Sequence, residues 1–139
     1  MRDPAAGVDV AGALLVGRGG SFGLDAPPPE AAARALAELV ALYRAGLDRP
    51  LPLTPRVGEA VAEARAMGQD PFDRDIRRLD RPWEFDSDAT WLMFYTTLDA
   101  LTGVPNDGPI TFGHPEEPRL VTALSRTLWD PLLAQEATR

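Results

Sequence analysis

His114 is the only histidine of the chain, and it stands beside Pro115 where a helix is expected to start. A nucleophilic triad would have to join it to Ser21, Ser87 or Ser125. None of these serines sits in the Gly-x-Ser-x-Gly elbow that exposes a nucleophile on a sharp turn. A loop or capping role suits His114 better. A small acid–base hydrolase stays as an alternative only if Asp86, Asp88 and His114 share a pocket. One histidine is too few for a histidine-rich metal site. The run of acids from Asp70 to Asp88 lacks the alternating ligands, turn glycine and terminal Glu of a calcium loop, so capping and surface charge explain it better. No metal and no cofactor is expected.

Composition removes further chemistry. Cysteine is absent, which excludes disulfides, thiolate catalysis and Cys-based metal sites and fits a reducing, cytoplasmic setting. All fourteen cations are arginine. Without lysine there is no Schiff base, no Walker A loop and no complete PD-(D/E)xK nuclease motif. A net charge of −7 argues against autonomous binding to a phosphate backbone. Arg74, Arg77, Arg78 and Arg81 cluster, but Asp70, Asp73, Asp75 and Asp80 interleave with them, so an internally paired, solvated face is expected. No stretch is apolar enough to span a membrane, and no export signal is recognisable.

The elements that would position these residues make one domain over 1–139, with 1–9 and 134–139 loose. The fold class is α+β and mostly helical: a short N-terminal strand pair, then about five helices. Ala11–Val16 and Ser21–Leu24 read as strands joined by Gly17-Arg18-Gly19-Gly20. Those glycines do not open onto a helix as a phosphate loop would, because Phe22, Leu24 and Pro27–Pro29 intervene. From the prolines a helix presents Leu36, Leu39, Val40, Tyr43 and Leu47 on one face, with Gly46 as its C-terminal punctuation. Pro50 and Pro52 force an extended connector. Thr54-Pro55 reads as N-cap and first residue of the next helix, whose apolar face is Val57, Ala60, Val61 and Ala64. Asp70 is expected to cap a helix running to about Leu79. Asp86-Ser87-Asp88 then starts a helix from about Ala89 to Thr102, almost free of charge and so buried nearly all round. It is either the central helix or an interface helix, and Trp91, Phe94 and Tyr95 are its candidate subunit-interface residues. A last helix runs from about Pro115 to Leu128 or slightly beyond, with Leu120, Val121, Leu124 and Leu128 inward. Pro131 should end or kink it.

Three ordered segments resemble one family. They are Leu14–Gly20; Ala35–Leu47 followed by Pro50-Leu51-Pro52-Leu53; and Trp83-Glu84 with Asp86 and Asp88 ahead of the aromatic helix, closed by Leu128-Trp129-Asp130-Pro131-Leu132-Leu133. Together they resemble the C-terminal region of RecC, the gamma subunit of exodeoxyribonuclease V. The resemblance implies a fragment of a degenerate restriction-endonuclease-like domain, inactive by itself, within a parent complex that is an ATP-dependent exodeoxyribonuclease. It implies a scaffold role in double-strand break repair and recombination, with the beta and alpha subunits (RecB-like and RecD-like) as partners. DNA would be reached through the parent complex; no membrane or small-molecule substrate is implied. A full gamma subunit is many times longer, and Thr54-Pro55-Arg56 replaces the basic, lysine-containing stretch the family often has there. An unrelated free-standing protein–protein interaction domain is the rival reading.

Overall fold

The computed structural model describes residues 12–17, 20–108 and 112–136. It is mostly helical, with one two-stranded sheet and six helices among the described residues. The chain divides into two compact units, Met1–Ala35 and Leu36–Arg139.

The first unit holds the hairpin. Strands β1 (Gly12–Gly17) and β2 (Gly20–Asp25) pair antiparallel, in a register that sets Gly17 against Gly20 and Leu15 against Phe22. The expected strand pair is present, each strand reaching one residue further at its C-terminal end. The turn residues Arg18 and Gly19, like the lead-in 1–9, lie outside the described residues. Helix α1 (Pro29–Asp48) begins here, at the last of the three prolines, where a missing N–H costs nothing.

In the second unit, α1 does not stop at Gly46 but continues to Asp48. A side chain at Gly46 would lie 3.7 Å from the Leu51 side chain, so the glycine marks where the returning connector packs. The apolar face that the spacing picks out on α1 is not the packed one. Leu36, Leu39, Val40, Tyr43 and Leu47 are 40–68% exposed, and the helix is instead held by buried Ala45 and partly buried Leu42. Helix α2 (Pro55–Ala66) follows the connector and buries Val57, Ala60, Val61 and Ala64, as its spacing predicts.

The segment from Pro71 to Leu79 is a series of turns rather than a helix. The side chains of Asp70 and Asp73 accept the N–H groups of Phe72 and Asp75, both at 2.9 Å. These local bonds compete with helix formation. Arg77 then adopts φ +50°, which closes off helical propagation. The helix in this region is α3 (Asp80–Asp86), which takes in Trp83-Glu84-Phe85.

The expected single helix from Ala89 to Thr102 is two short ones, α4 (Ala89–Leu92) and α5 (Leu98–Thr102). Thr97 takes an extended backbone, and its hydroxyl accepts the Ala100 N–H at 3.1 Å, which starts α5 afresh. The segment is not buried all round: Leu92, Met93 and Phe94 are exposed.

The central helix is α6 (Leu120–Glu136), which begins five residues later than expected and passes through Pro131 to Glu136. Pro131 removes one N–H near the C-terminal end without ending the helix. Val121, Ala123, Leu124 and Ser125 are fully buried on it. Two of its buried hydroxyls reach backbone carbonyls: Ser125 donates to Val121 at 2.7 Å, and Thr127 is within reach of both Phe112 at 2.9 Å and Ala123 at 3.0 Å. Helix α2 crosses α6 closely at Gly58, where a Cβ would lie 3.0 Å from both Leu53 Cδ1 and Trp129 Nε1. Val57, Val61, Leu101 and Val121 form one core cluster; Ala45, Leu51, Phe112, Leu120 and Leu124 form the other.

Candidate functional site

The residues that could have formed a hydrolytic centre have separate employment. Asp86 is buried, and its Oδ2 accepts the backbone N–H groups of Arg56 at 2.7 Å and Val57 at 3.0 Å. It therefore caps α2 from the far end of α3. Thr54 has the extended backbone of an N-cap, but its side chain makes no capping bond and its buried Oγ1 has no partner among the described residues. Asp88 caps α4, accepting from Thr90 and Trp91 at 2.9 and 3.0 Å. His114 faces Glu116, with Nδ1 3.5 Å from its carboxylate. Ser87 and Ser125 donate to backbone carbonyls. Among the described residues no hydrogen bond or ion pair joins His114 to Asp86 or Asp88, and no acid or histidine cluster has metal-binding geometry. No helix among them is long and apolar enough to cross a membrane.

The aromatic segment does line a groove. An apolar groove of about 500 Å³ is lined by Leu42, Leu47, Leu51, Leu53, Trp91 and Phe94, with Asp48 and Arg49 also on its wall. Trp91 and Phe94 of the proposed interface trio line it directly. Tyr95 supports them: its ring lies 6.5 Å from that of Trp91 at 27°, and its hydroxyl donates to the Pro50 carbonyl at 2.9 Å. Burial raises the Tyr95 phenol above its usual value, and the Arg49 charge opposes that only in part. The groove is thus fixed on one side by the proline connector and on the other by the stacked aromatics. Beside it, Leu39, Tyr43 and Leu47 of α1 stand exposed. The sequence put these α1 side chains on one face without saying whether that face is covered, because periodicity identifies an apolar face but not what covers it.

Residues 6–66 match the RecC C-terminal domain. The chain carries that domain and is related to RecC well beyond it: it is 40% identical over 119 residues, 81% of its length, to the RecBCD enzyme subunit RecC of Mycobacterium tuberculosis, in both strain CDC 1551 and strain H37Rv. The chain spans about a tenth of the length of these relatives. No solved structure matches it significantly.

Proposed function

We propose that this domain is a non-catalytic scaffold and subunit-interaction module of a RecBCD-type helicase–nuclease, acting in double-strand break repair and recombination. The 40% identity to a RecBCD subunit over 81% of the chain carries the reading. The groove formed by Trp91, Phe94 and the proline connector supports it, because an apolar surface with a fixed aromatic anchor is what a partner segment needs. The occupant is a segment of a beta or alpha subunit. DNA is reached through the parent complex, as the net charge of −7 disfavours direct backbone binding. The absence of lysine supports the non-catalytic part of the reading, since no PD-(D/E)xK motif can be completed from these residues.

Co-purification of the chain with RecB-like and RecD-like subunits from the same organism tests this, with Phe94→Asp alongside. Phe94 is 53% exposed, so the variant should keep the helical circular dichroism of the parent. Capture by the parent and a roughly tenfold or greater loss in the variant is the expected result. A folded parent that captures neither subunit would sink the scaffold role. Capture of only the upstream part of a RecC-length chain would make the groove an intrachain contact and overturn it as well.

A further inference from the structure

The charged segment does not neutralise itself as its alternating sequence suggests. Asp70 and Asp73 spend their carboxylates on local backbone N–H groups. Arg77 pairs with Asp80 at 2.5 Å. Arg74, Arg78 and Arg119 have no carboxylate within 4 Å among the described residues. These three, with Arg77, line one cavity of about 340 Å³. Arg78 bonds Gln69 through one Nη, but its Nε is buried with no partner among the described residues. Arg119 is held over the Phe72 ring, its guanidinium carbon 4.1 Å from the centroid, with only a 3.4 Å contact to the Thr102 carbonyl. Its guanidinium is therefore oriented in advance, with most of its donors free. Arg77 holds its position with a left-handed backbone, a conformation that costs energy in a non-glycine residue and recurs at ligand clamps.

We propose that this cavity binds a single carboxylate side chain, an Asp or Glu of a protein partner. The proposal rests on the interaction reading above. Guanidinium forks match the two oxygens of a carboxylate, and Arg78, whose Nε is left unsatisfied, gains most from a carboxylate that draws its guanidinium into the cavity. Charge selects the class of ligand. Asp73, Asp80 and Asp99 share the cavity wall with the four arginines, leaving an excess of one positive charge. That balance suits one carboxylate. A phosphodiester chain would bring successive charges against those three acids and a molecule of net charge −7.

The test is a titration of the full 139-residue chain, followed through the Nε–Hε nuclear magnetic resonance signals of its arginines. The probe is N-acetylglutamate amide, compared with N-acetylglutamine amide and a short oligothymidylate. The Arg78 and Arg119 signals should move saturably with the glutamate probe and stay in place with its neutral isostere. Arg78→Gln should weaken binding roughly tenfold, as expected when a charge-assisted pair is removed. Arg74→Gln, at an exposed position that leaves the fold intact, should weaken it in the same direction. An equal response to the glutamine probe, no saturable response, or tighter binding of the oligothymidylate would overturn the site. Glutamate binding without subunit capture supports the site and defeats the scaffold reading, whereas capture without glutamate binding defeats the site alone.

Discussion

Asp86 does from thirty residues away what a helix usually obtains from its own N-cap. The donors at the start of α2 are the N–H groups of Arg56 and Val57, and both point to its Oδ2. Thr54, the sequence-local candidate, is completely buried with an idle hydroxyl. These two facts give opposite expectations for two substitutions. Asp86→Ala leaves two amide donors without their acceptor and should cost about 1–3 kcal/mol of unfolding free energy. Thr54→Val removes a group that makes no bond and keeps its shape, so it should be neutral or slightly stabilising. Urea denaturation of the two variants beside the parent decides the matter. A Thr54→Val loss as large as that of Asp86→Ala would return the cap to Thr54.

At the scale of elements, α1 separates packing from periodicity. Its buried contacts come from Ala45 and Leu42, so the stripe of Leu39 and Tyr43 on its outer side contributes little to this domain's own core. Leu39→Ser with Tyr43→Ser should change unfolding free energy by no more than about 0.5 kcal/mol per site, the range of surface substitutions. The same pair should lower the binding of a hydrophobic dye that reports exposed apolar surface. A loss of several kcal/mol would mean the stripe is core after all. The hairpin, α1 and α2 were legible in the sequence because prolines, glycines and spacing act locally there. The break at Thr97 and the turns from Pro71 to Leu79 were not. In both, short polar side chains (Thr97 at the break, Asp70 and Asp73 at the turns) bond nearby backbone N–H groups, and that short-range competition leaves no mark on apolar periodicity. The candidate site divides in the same way. Aromatic density between Trp91 and Tyr95 pointed to the groove, but counting charges hid the arginine cavity, since it ignored carboxylates turned toward the backbone.

Across the second unit as a whole, an ionic network ties α2, the approach to α6 and α6 itself. Arg65 of α2 meets Glu117 at 2.8 Å, Arg126 of α6 meets Glu117 at 3.0 Å and also pairs with Glu116, and Asp130 lies 3.4 Å from Arg126. Glu116 has its carboxyl held below the usual glutamate value, chiefly by its own backbone N–H, with Arg126 and His114 adding to that against an opposing effect of burial. A carboxylate lowered in the folded state binds its proton more readily in the unfolded chain. Its contribution is therefore complete above the unfolded value and fades as pH falls through the folded one. Glu116→Gln removes that titration. The difference in stability between parent and Glu116→Gln should be largest near neutral pH and should shrink as acid takes the pH below the ordinary glutamate value and through the lowered folded one. Because Glu116 is exposed, the neutral-pH difference should also shrink in high salt. Chemical denaturation of both proteins across that pH range, at low and high salt, checks both trends. A difference that stays constant with pH would show that Glu116 acts through packing, and the network would then be a consequence of how α2 and α6 meet rather than one of its causes.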